Sequence, residues 1–401
     1  MSELHFEVTI ATAPSAVYQA WTLPHLLSHW ISDSARAQVR EGGPFILMWN
    51  SGHWAAGVYS AVDTDKRLAF SWHEADAPGT TQIEVRFASV GDRTGVSLTQ
   101  TGFGDGEAWQ AYREQSERNW RELLDNLRTL METAHDARFL RRPVAGMGII
   151  PISAEEAAAK GLPVDHGLNI TLVVQGGAAE TAGLRTGDYI TAIDGTKQNS
   201  FGSFNAVLGR HKAGDTVDVE YYRDGQHQIT ALTFGQRHPH HAPETRDALY
   251  DAVEKQVNTI EAELDALFAG VPESALNVRP TPHEWSAKEV LAHLIWTERW
   301  SQMAMWLMLT VGTPPDWGFN NDFEIGGISE TRETAGDLLD DLKQSLREQL
   351  HSVRYIPEQT LTVKPLFAEL AKWLCGTGEH CREHYAQIKA AISQAQAVIP
   401  A

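Results

Sequence analysis

Three histidines in the last third of the chain have the type and spacing of metal ligands. His380 and His384 are four residues apart, and His293 lies in an earlier apolar segment. On a helix, residues at i and i+4 share one face, roughly 6 Å apart. Two imidazoles so placed can hold one divalent ion, and a third from a facing helix leaves an open position for water or substrate. The spacing therefore indicates a candidate metal site.

The same residues also have an ordinary structural interpretation. The chain contains 17 histidines, so a pair at this spacing also arises by chance, and a histidine on an apolar helix face is often a hydrogen-bonded core residue. Cys381 and Glu383 each lie about 100° around a helix from the histidine next to them. Cys381 is therefore not expected to be a fourth ligand, and Glu383 is not named as a general base. Cys375 is expected to be a buried structural thiol. The catalytic residues are left unassigned.

The composition limits the class of protein. A chain of 401 residues predicts two to four domains. It contains no run of 18 apolar residues and no signal-peptide pattern at its start, which predicts no membrane span. Its 2 cysteines fit a reducing cytoplasm. The formal net charge of −19 argues against nucleic acid and anionic membranes as partners.

Four amphipathic helices are expected to position the histidines. Their predicted bounds are residues 245–269, 286–312, 332–353 and 365–397. Ser286 and Glu289 form a capping-box pattern at the start of the second helix. An up-down four-helix bundle would bring the second and fourth helices together around the histidines.

Residues 243–395 resemble the DinB/YfiT-like four-helix metalloproteins. The similarity lies in Trp-Ser-x-x-Glu-Val-Leu-x-His-Leu, from residue 285, and in His-x-x-x-His-x-x-Gln-Ile, from residue 380. Members of that family bind a divalent metal, usually zinc or nickel, through three histidines at these places. The resemblance implies His293, His380 and His384 as the ligands. Some members are thiol-dependent transferases.

In the first segment, apolar and polar residues alternate as in the strands of a curved antiparallel sheet, and a long helix over residues 107–132 ends the segment. Residues 1–138 resemble the SRPBCC (START-like) superfamily, in the branch of activators of heat-shock-protein-90 ATPase homologues. The similarity lies in Pro-Ser-Ala-Val-Tyr-Gln-Ala-Trp, from residue 14, in Glu-Gly-Gly-Pro-Phe, from residue 41, and in Leu-Ala-Phe-Ser-Trp, from residue 68. The resemblance implies a helix-grip fold.

Helix-grip folds often enclose an apolar pocket between sheet and helix. The aromatic residues expected to line it, for a small apolar ligand, are Trp49, Trp54, Phe70 and Trp72. The alternative is that these rings simply fill the core.

The middle segment, residues 143–235, resembles a PDZ domain of the bacterial protease-associated type. The similarity lies in Gly-Met-Gly-Ile-Ile, from residue 146, and in Ala-Gly-Leu-Arg-Thr-Gly-Asp, from residue 182. The resemblance implies a β-barrel-like fold that binds a peptide or protein C-terminus by adding a strand. It implies that the binding loop is Gly146, Met147, Gly148 and Ile149. A groove that is blocked or filled by an internal segment is the alternative.

The sequence thus predicts a multidomain α+β protein with a START-like domain, a PDZ domain and a four-helix bundle. A polar, proline-containing stretch over residues 236–243 is expected to be a linker. The predicted function is metal-dependent chemistry on a small thiol or electrophile, such as detoxification. The alternative is a non-enzymatic adaptor or co-chaperone-like stress-response protein that binds peptide C-termini and apolar ligands.

Overall fold

The computed structural model describes residues 3–239, 241–281, 284–310 and 321–398. The chain forms two compact units, Met1–Pro239 and His240–Ala401. The first unit contains two antiparallel sheets, and the second is helical. None of the described helices is long and apolar enough to cross a membrane. The predicted α+β fold class is therefore confirmed.

The first sheet has seven strands in the order β1-β7-β6-β5-β4-β3-β2. The strands are β1 (Leu4–Ile10), β2 (Ser34–Ala37), β3 (Pro44–Met48), β4 (Trp54–Asp63), β5 (Arg67–Glu74), β6 (Thr81–Val90) and β7 (Arg93–Thr101). Burial alternates along β6 and β7, as it must when one face of a sheet covers a core. β2 was not predicted.

The helices of this domain are α1 (Pro14–Thr22), α2 (Pro24–Trp30), α3 (Glu107–Thr133) and α4 (Ala137–Arg141). Prolines begin α1 and α2, where their fixed φ and missing N–H cost nothing. One face of α3, including Trp120 and Leu127, is buried.

The short helix α4 is held to the first domain by side chains. The buried Asn126 accepts a hydrogen bond from the Ala137 amide (2.8 Å) and donates one to Asp136 (3.0 Å). Arg138 donates to the carbonyl of Ser32 (3.1 Å) and pairs with Asp136. These contacts fix where the chain leaves the first domain.

The second sheet runs in the order β13-β12-β10-β9-β8, with β11 paired to β10. Its strands are β8 (Met147–Pro151), β9 (Leu168–Val173), β10 (Tyr189–Ile193), β11 (Thr196–Lys197), β12 (Thr216–Arg223) and β13 (Gln226–Thr233). The helices are α5 (Ala154–Ala159), α6 (Ala178–Thr181) and α7 (Phe201–Leu208). Ile170, Ile190, Val207 and Val219 are fully or almost fully buried in one core.

The described part of the helical unit contains an additional helix between the second and third of the four expected, a fourth helix that is divided in two, and short pieces. Its helices are α8 (Arg246–Phe268), α9 (Glu273–Leu276), α10 (Ala287–Thr310), α11 (Asn321–Glu330), α12 (Ala335–Ser352), α13 (Glu358–Leu361), α14 (Lys364–Glu383) and α15 (Tyr385–Val398). The last two residues of the predicted second helix, 311 and 312, lie outside the described residues.

Side-chain caps begin the main helices as the sequence indicates. The predicted capping box at α10 is confirmed, since Ser286 N donates to Glu289 (2.8 Å) and Glu289 N donates to the Ser286 hydroxyl (3.2 Å). Thr245 accepts from the Ala248 amide at the start of α8, and Thr334 forms a capping box at α12. Such caps typically stabilise a helix by about 1 kcal/mol each.

Contacts between helices establish their directions. Glu261 and Asp265 of α8 pair with Arg347 and Lys343 of α12, so α8 and α12 are antiparallel. Lys288 and Gln302 of α10 donate to carbonyls at residues 332 and 345 respectively, so α10 and α12 run parallel.

The pairs His293–His380 and Trp300–Trp373 make α10 and α14 antiparallel. The order of directions is therefore up-down-down-up, which corrects the alternating up-down order that was predicted. The connection containing α11 provides the return path that two consecutive parallel helices require.

Candidate functional site

The structure brings together the three histidines that the sequence singles out. The ring centroids are 5.6 Å apart for His293 and His380, and 4.9 Å apart for both His293–His384 and His380–His384. One ring nitrogen from each histidine lies within 4.8 Å of the other two. The indole ring of Trp285 covers His293, with a centroid distance of 5.0 Å. The cluster thus joins α10 to the last helical segment.

A helix break lies at the site, where one continuous helix over residues 365–397 was predicted. α14 ends at Glu383, and α15 begins at Tyr385. The amide of His384 donates to Cys381 O (3.2 Å), three residues back rather than four. This tighter turn interrupts the α-helical ladder at His384, and such interruptions are frequent at functional sites. The prediction of a single helix is therefore wrong.

Two polar side chains contact the Nδ1 atoms of the paired histidines. Gln387 Oε1 lies 2.9 Å from His384 Nδ1, and Glu383 Oε2 lies 3.5 Å from His380 Nδ1. With Nδ1 of each ring facing an oxygen acceptor, Nε2 is the nitrogen left to bind a metal. Sequence reasoning did not assign these roles, although Gln387 stands in the quoted motif and Glu383 is three residues from His380.

The electrostatics favour neutral imidazoles. Burial, followed by the charges of His384 and His380, lowers the pKa of His293 to about 4. Burial also lowers the pKa of His380, an effect that Glu383 opposes. The Nε2 atom of His380 is buried and has no hydrogen-bond partner among the described residues. Buried polar atoms are rarely left so, and a neutral imidazole with a vacant nitrogen is the form that binds metals. These residues fit a divalent ion.

A further ionisable pair lies buried in the same bundle. Glu298 on α10 is 2% exposed, its Oε2 has no hydrogen-bond partner, and burial raises its pKa to about 8. Cys381 is fully buried, and burial, then the charge of Glu298, raise the pKa of its thiol. Cys375 is half-buried, and burial raises its pKa also. Neither thiol has the lowered pKa of a reactive cysteine.

In the second sheet, the predicted peptide-binding residues lie at an edge. β8 ends the strand order, so no described strand pairs with its outer side. Gly146 precedes it with φ +71°, and an added Cβ there would lie 3.0 Å from the Ala178 amide. Glycine is therefore required by both conformation and space. Met147 and Ile149 are half-buried against the same core as Phe204 and Leu208 of α7.

The strand register shows which amides point outward. Ile152 N donates to Gly167 O (3.0 Å), so the amide of Ile152 points toward the neighbouring strand. Ile149 lies three residues earlier in the same ladder, an odd number, so its amide points to the opposite side. Val174 N donates to Gly146 O (2.9 Å), and Met147 follows directly. Because successive residues alternate between the two sides of a strand, the amides of Met147 and Ile149 point away from β9. They are available to an added strand.

The first domain has a cleft of about 260 Å³ between the sheet, α3 and α4. Of the four aromatic residues predicted to line a pocket, Trp49 and Trp72 line it. Phe70 instead packs in the core against Phe45, Tyr59 and Trp72, where a gap of only about 20 Å³ remains.

Trp54 lies against His73, with a centroid distance of 5.7 Å, and is not part of the lining. Phe70 and Trp54 thus lie outside this cleft, because strand alternation does not say which buried rings meet each other, and the ligand pocket stays a prediction. Sequence reasoning missed the polar lining from Glu74, α3 and α4.

Three family models match the chain in sequence order. Residues 11–132 match "Activator of Hsp90 ATPase homolog 1-like protein", residues 145–233 match "PDZ domain", and residues 256–388 match "DinB superfamily".

Curated relatives match the PDZ segment. A serine protease Do-like HtrA from Lactobacillus helveticus is 41% identical over 61 residues, 15% of each chain. A probable periplasmic serine endoprotease DegP-like from Marinomonas sp. is 34% identical over 92 residues, 23% of this chain and 20% of the relative. The chain thus spans a fifth or less of the length of these two relatives.

Solved structures similar to the chain include an HSP90 activator from Plasmodium falciparum, with 18% identity, a TM-score of 0.28 and coverage of 32% of this chain and 96% of the other. They also include the Aha1 dimer from Colwellia psychrerythraea, with 19% identity, a TM-score of 0.29 and coverage of 33% and 98%. The resemblances stated from the sequence are confirmed by the family models: the chain joins a segment like the Hsp90 ATPase activator homologues, a PDZ segment and a DinB-like helical segment.

Proposed function

We propose that the chain has three modules, at residues 1–138, 143–235 and 243–395, and that the helical module is a metal centre acting on a small thiol or electrophile. The proposed ligands of the zinc or nickel ion are His293, His380 and His384. The observation that carries this proposal is the buried, unpartnered Nε2 of His380 inside a cluster of three converging imidazoles.

The side chains around the cluster have separable roles. Burial keeps His293 and His380 neutral, so their lone pairs are available at neutral pH. Gln387 and Glu383 orient the paired rings through their Nδ1 atoms. When bound, the divalent ion supplies Lewis acidity that lowers the pKa of a thiol at the open position. Cys381 takes no part, since it is fully buried.

The metal proposal is tested by elemental analysis of the purified full chain and two variants. His380→Ala removes a proposed ligand and should lower zinc or nickel affinity at least about tenfold. His351→Ala is the matched control, because His351 lies on α12 against Tyr250. Equal, stoichiometric metal in both variants would rule the site out.

Metal-dependent turnover separates the enzyme from the adaptor. The metal-loaded chain is mixed with a small thiol and an alkylating electrophile, and thioether formation is followed. We expect a rate that His380→Ala abolishes and His351→Ala preserves. Metal binding without any turnover would leave the metal as a structural element and favour an adaptor or a co-chaperone-like, stress-response role, for which the first domain offers only family analogy.

We further propose that the PDZ module binds a protein C-terminus by adding a strand to β8. The outward amides of Met147 and Ile149 support this, as does the half-buried apolar side chain of Phe204 on α7. The occupant proposed for this groove is the C-terminus of another protein, supplied in trans.

The test for the PDZ module is a labelled library of peptides with free C-termini, with amidated copies as controls. We expect Kd values below about 1 mM, equivalent to roughly −4 kcal/mol, and weaker binding of the amidated copies. Equal binding of free and amidated peptides would contradict carboxylate recognition.

Two smaller proposals complete this function. A cytoplasmic location is proposed from the cysteine usage, with 2 cysteines that are both free. The cleft of the first domain is proposed to bind a small ligand with an apolar body, because Trp49, Trp72 and Trp120 line it.

A further inference from the structure

Two indole rings, those of Trp72 and Trp120, form an apolar floor in the cleft of the first domain. Trp72 Nε1 donates to Glu74 Oε1 (2.8 Å), and Trp120 Nε1 donates to Gln100 Oε1 (3.0 Å). Both indole N–H groups are therefore engaged within the protein. A ligand on this floor meets ring faces and edges, and its polar contacts must come from other residues.

The charged groups at the mouth of the cleft largely cancel. Three arginines of the chain that leaves the first domain line it, namely Arg138, Arg141 and Arg142. Arg138 pairs with Asp136 (3.1 Å), and Arg142 pairs with Asp33. The exposed Arg141 stands in the same lining as the exposed Glu122, which has the opposite charge. The mouth of the cleft thus attracts neither anions nor cations strongly.

Glu74 is different because its charge is not balanced. Within the described residues, the Glu74 carboxylate accepts one hydrogen bond, from the neutral indole of Trp72, and it makes no ion pair. Burial raises the pKa of the Glu74 carboxyl, and the Trp72 hydrogen bond and the charges of His53 and His73 offset this only in part.

The neighbouring phenol cannot balance that charge. Burial, and then the charge of Glu74, raise the pKa of Tyr112 to about 12, so Tyr112 stays neutral. A half-buried carboxylate without a cation is costly, and a positive partner removes that cost.

We propose that this cleft binds a small organic cation, an arylalkyl or alkyl ammonium compound, with its apolar body on the indoles and its ammonium group on Glu74. The inference rests on the proposed apolar-ligand site and adds the charge of the ligand. Cations are attracted to the faces of indole rings, and Trp49 and Trp72 both line the cleft. The volume of about 260 Å³ limits the ligand to one or two rings.

The test uses three probes with the same bicyclic ring: tryptamine, which is cationic at neutral pH, indole-3-acetate, which is anionic, and neutral indole. Binding to the full chain is measured by isothermal titration calorimetry at low salt. We expect tryptamine to bind at least tenfold more tightly than indole-3-acetate, with indole in between. Tighter binding of indole-3-acetate would overturn the proposal and point to Arg141 instead.

Variants of one carboxyl group assign the preference to a residue. Glu74→Gln keeps the shape and removes the charge, so the tryptamine preference should fall below twofold while indole affinity is unchanged. Glu114→Gln, on the exposed face of α3, should leave the preference intact. A preference that survives Glu74→Gln contradicts the inference.

Two further outcomes separate this inference from the apolar-ligand proposal. If all three probes bind equally, the apolar site stands and the cation preference is wrong. If none binds, both fail. Should Glu74→Gln fold poorly, Glu74→Asp is used instead, because it retains the charge on a shorter side chain. A loss of tryptamine preference in that variant that exceeds its loss of indole affinity still assigns the ammonium contact to Glu74.

Discussion

Two buried polar clusters, the Gln100 network of the first domain and the group around His380 and Glu298 in the helical unit, differ in whether their atoms have hydrogen-bond partners. In the first domain, Trp120 donates to Gln100, Gln100 donates to Thr81 (2.9 Å), and Thr81 donates to the carbonyl of Trp72 (3.2 Å). Gln100 and Thr81 are fully buried, and each has its partners. In the described part of the bundle, His380 Nε2 and Glu298 Oε2 are buried without a hydrogen-bond partner.

The difference separates polar groups that specify a fold from those available for binding. A satisfied buried network fixes the packing of its neighbours and has nothing left to offer a ligand. An unsatisfied buried atom carries a desolvation cost of about 1–3 kcal/mol, which a bound ion or a proton can relieve. Substitutions in either cluster can test this difference.

The largest effect is expected from Gln100→Ala. The substitution leaves the Trp120 N–H without an acceptor and opens a cavity beside β7, so the free energy of unfolding should fall by about 3 kcal/mol. Denaturant unfolding measures it. Gln110→Ala, on the exposed start of α3, is the control and should change stability by less than about 0.5 kcal/mol. Similar values for both variants would mean that the network contributes no stability.

A smaller, pH-dependent effect is expected from Glu298→Gln. The folded pKa of about 8 exceeds the ordinary value of 4.5, so the folded state holds an extra proton between these values. Wild-type stability should therefore fall as pH rises through that window, at about 1.4 kcal/mol per pH unit at most. The variant lacks this loss. Its advantage over wild type should grow by about 2 kcal/mol between pH 5.5 and pH 7.

Unfolding curves at both pH values, with a chelator present, measure the effect of Glu298→Gln. Glu254→Gln, on an exposed position of α8, should show no such growth. A stability difference independent of pH would mean that Glu298 is ionised in the folded bundle.

The smallest effect is expected from Gln387→Ala, which removes the contact to His384 Nδ1 and leaves the proposed ligands in place. Metal affinity should fall about tenfold, or ~1.4 kcal/mol, by chelator competition. The exposed Gln394 on α15 provides the control, Gln394→Ala. An unchanged affinity would show that the helix break alone orients His384.

Most of the fold could be predicted from the periodicity of apolar residues and from turn residues. The predicted bounds of the long helix over residues 107–132 agree with the structure to within about one residue, and the capping box at Ser286 is present. The break at His384 escaped prediction because local propensity favours a helix throughout residues 380–388, and the tighter turn forms only in the tertiary fold.

The candidate sites were predictable to different degrees. The metal ligands came from spacing and resemblance, while Glu383 and Gln387 needed coordinates, because a hydrogen bond to a ring nitrogen depends on rotamers rather than on spacing. For the cleft, Phe70 shows how far the sequence can predict a lining. Its side chain faces the same side of the sheet as that of Trp72, but it packs against other rings in the core. The lining from α4 could not be seen because that helix follows the recognisable segment.

The anchoring of α4 has a consequence for cutting the protein into pieces. The match to the Hsp90 ATPase activator homologues ends at residue 132. Yet the side chain of Asn126 makes two of its three hydrogen bonds with Asp136 and Ala137, beyond that end, and the third with the Trp30 carbonyl. A fragment ending at residue 132 would expose this amide and lose one wall of the cleft. The smallest self-sufficient piece of the first domain therefore extends to at least Arg142, whose guanidinium pairs with Asp33.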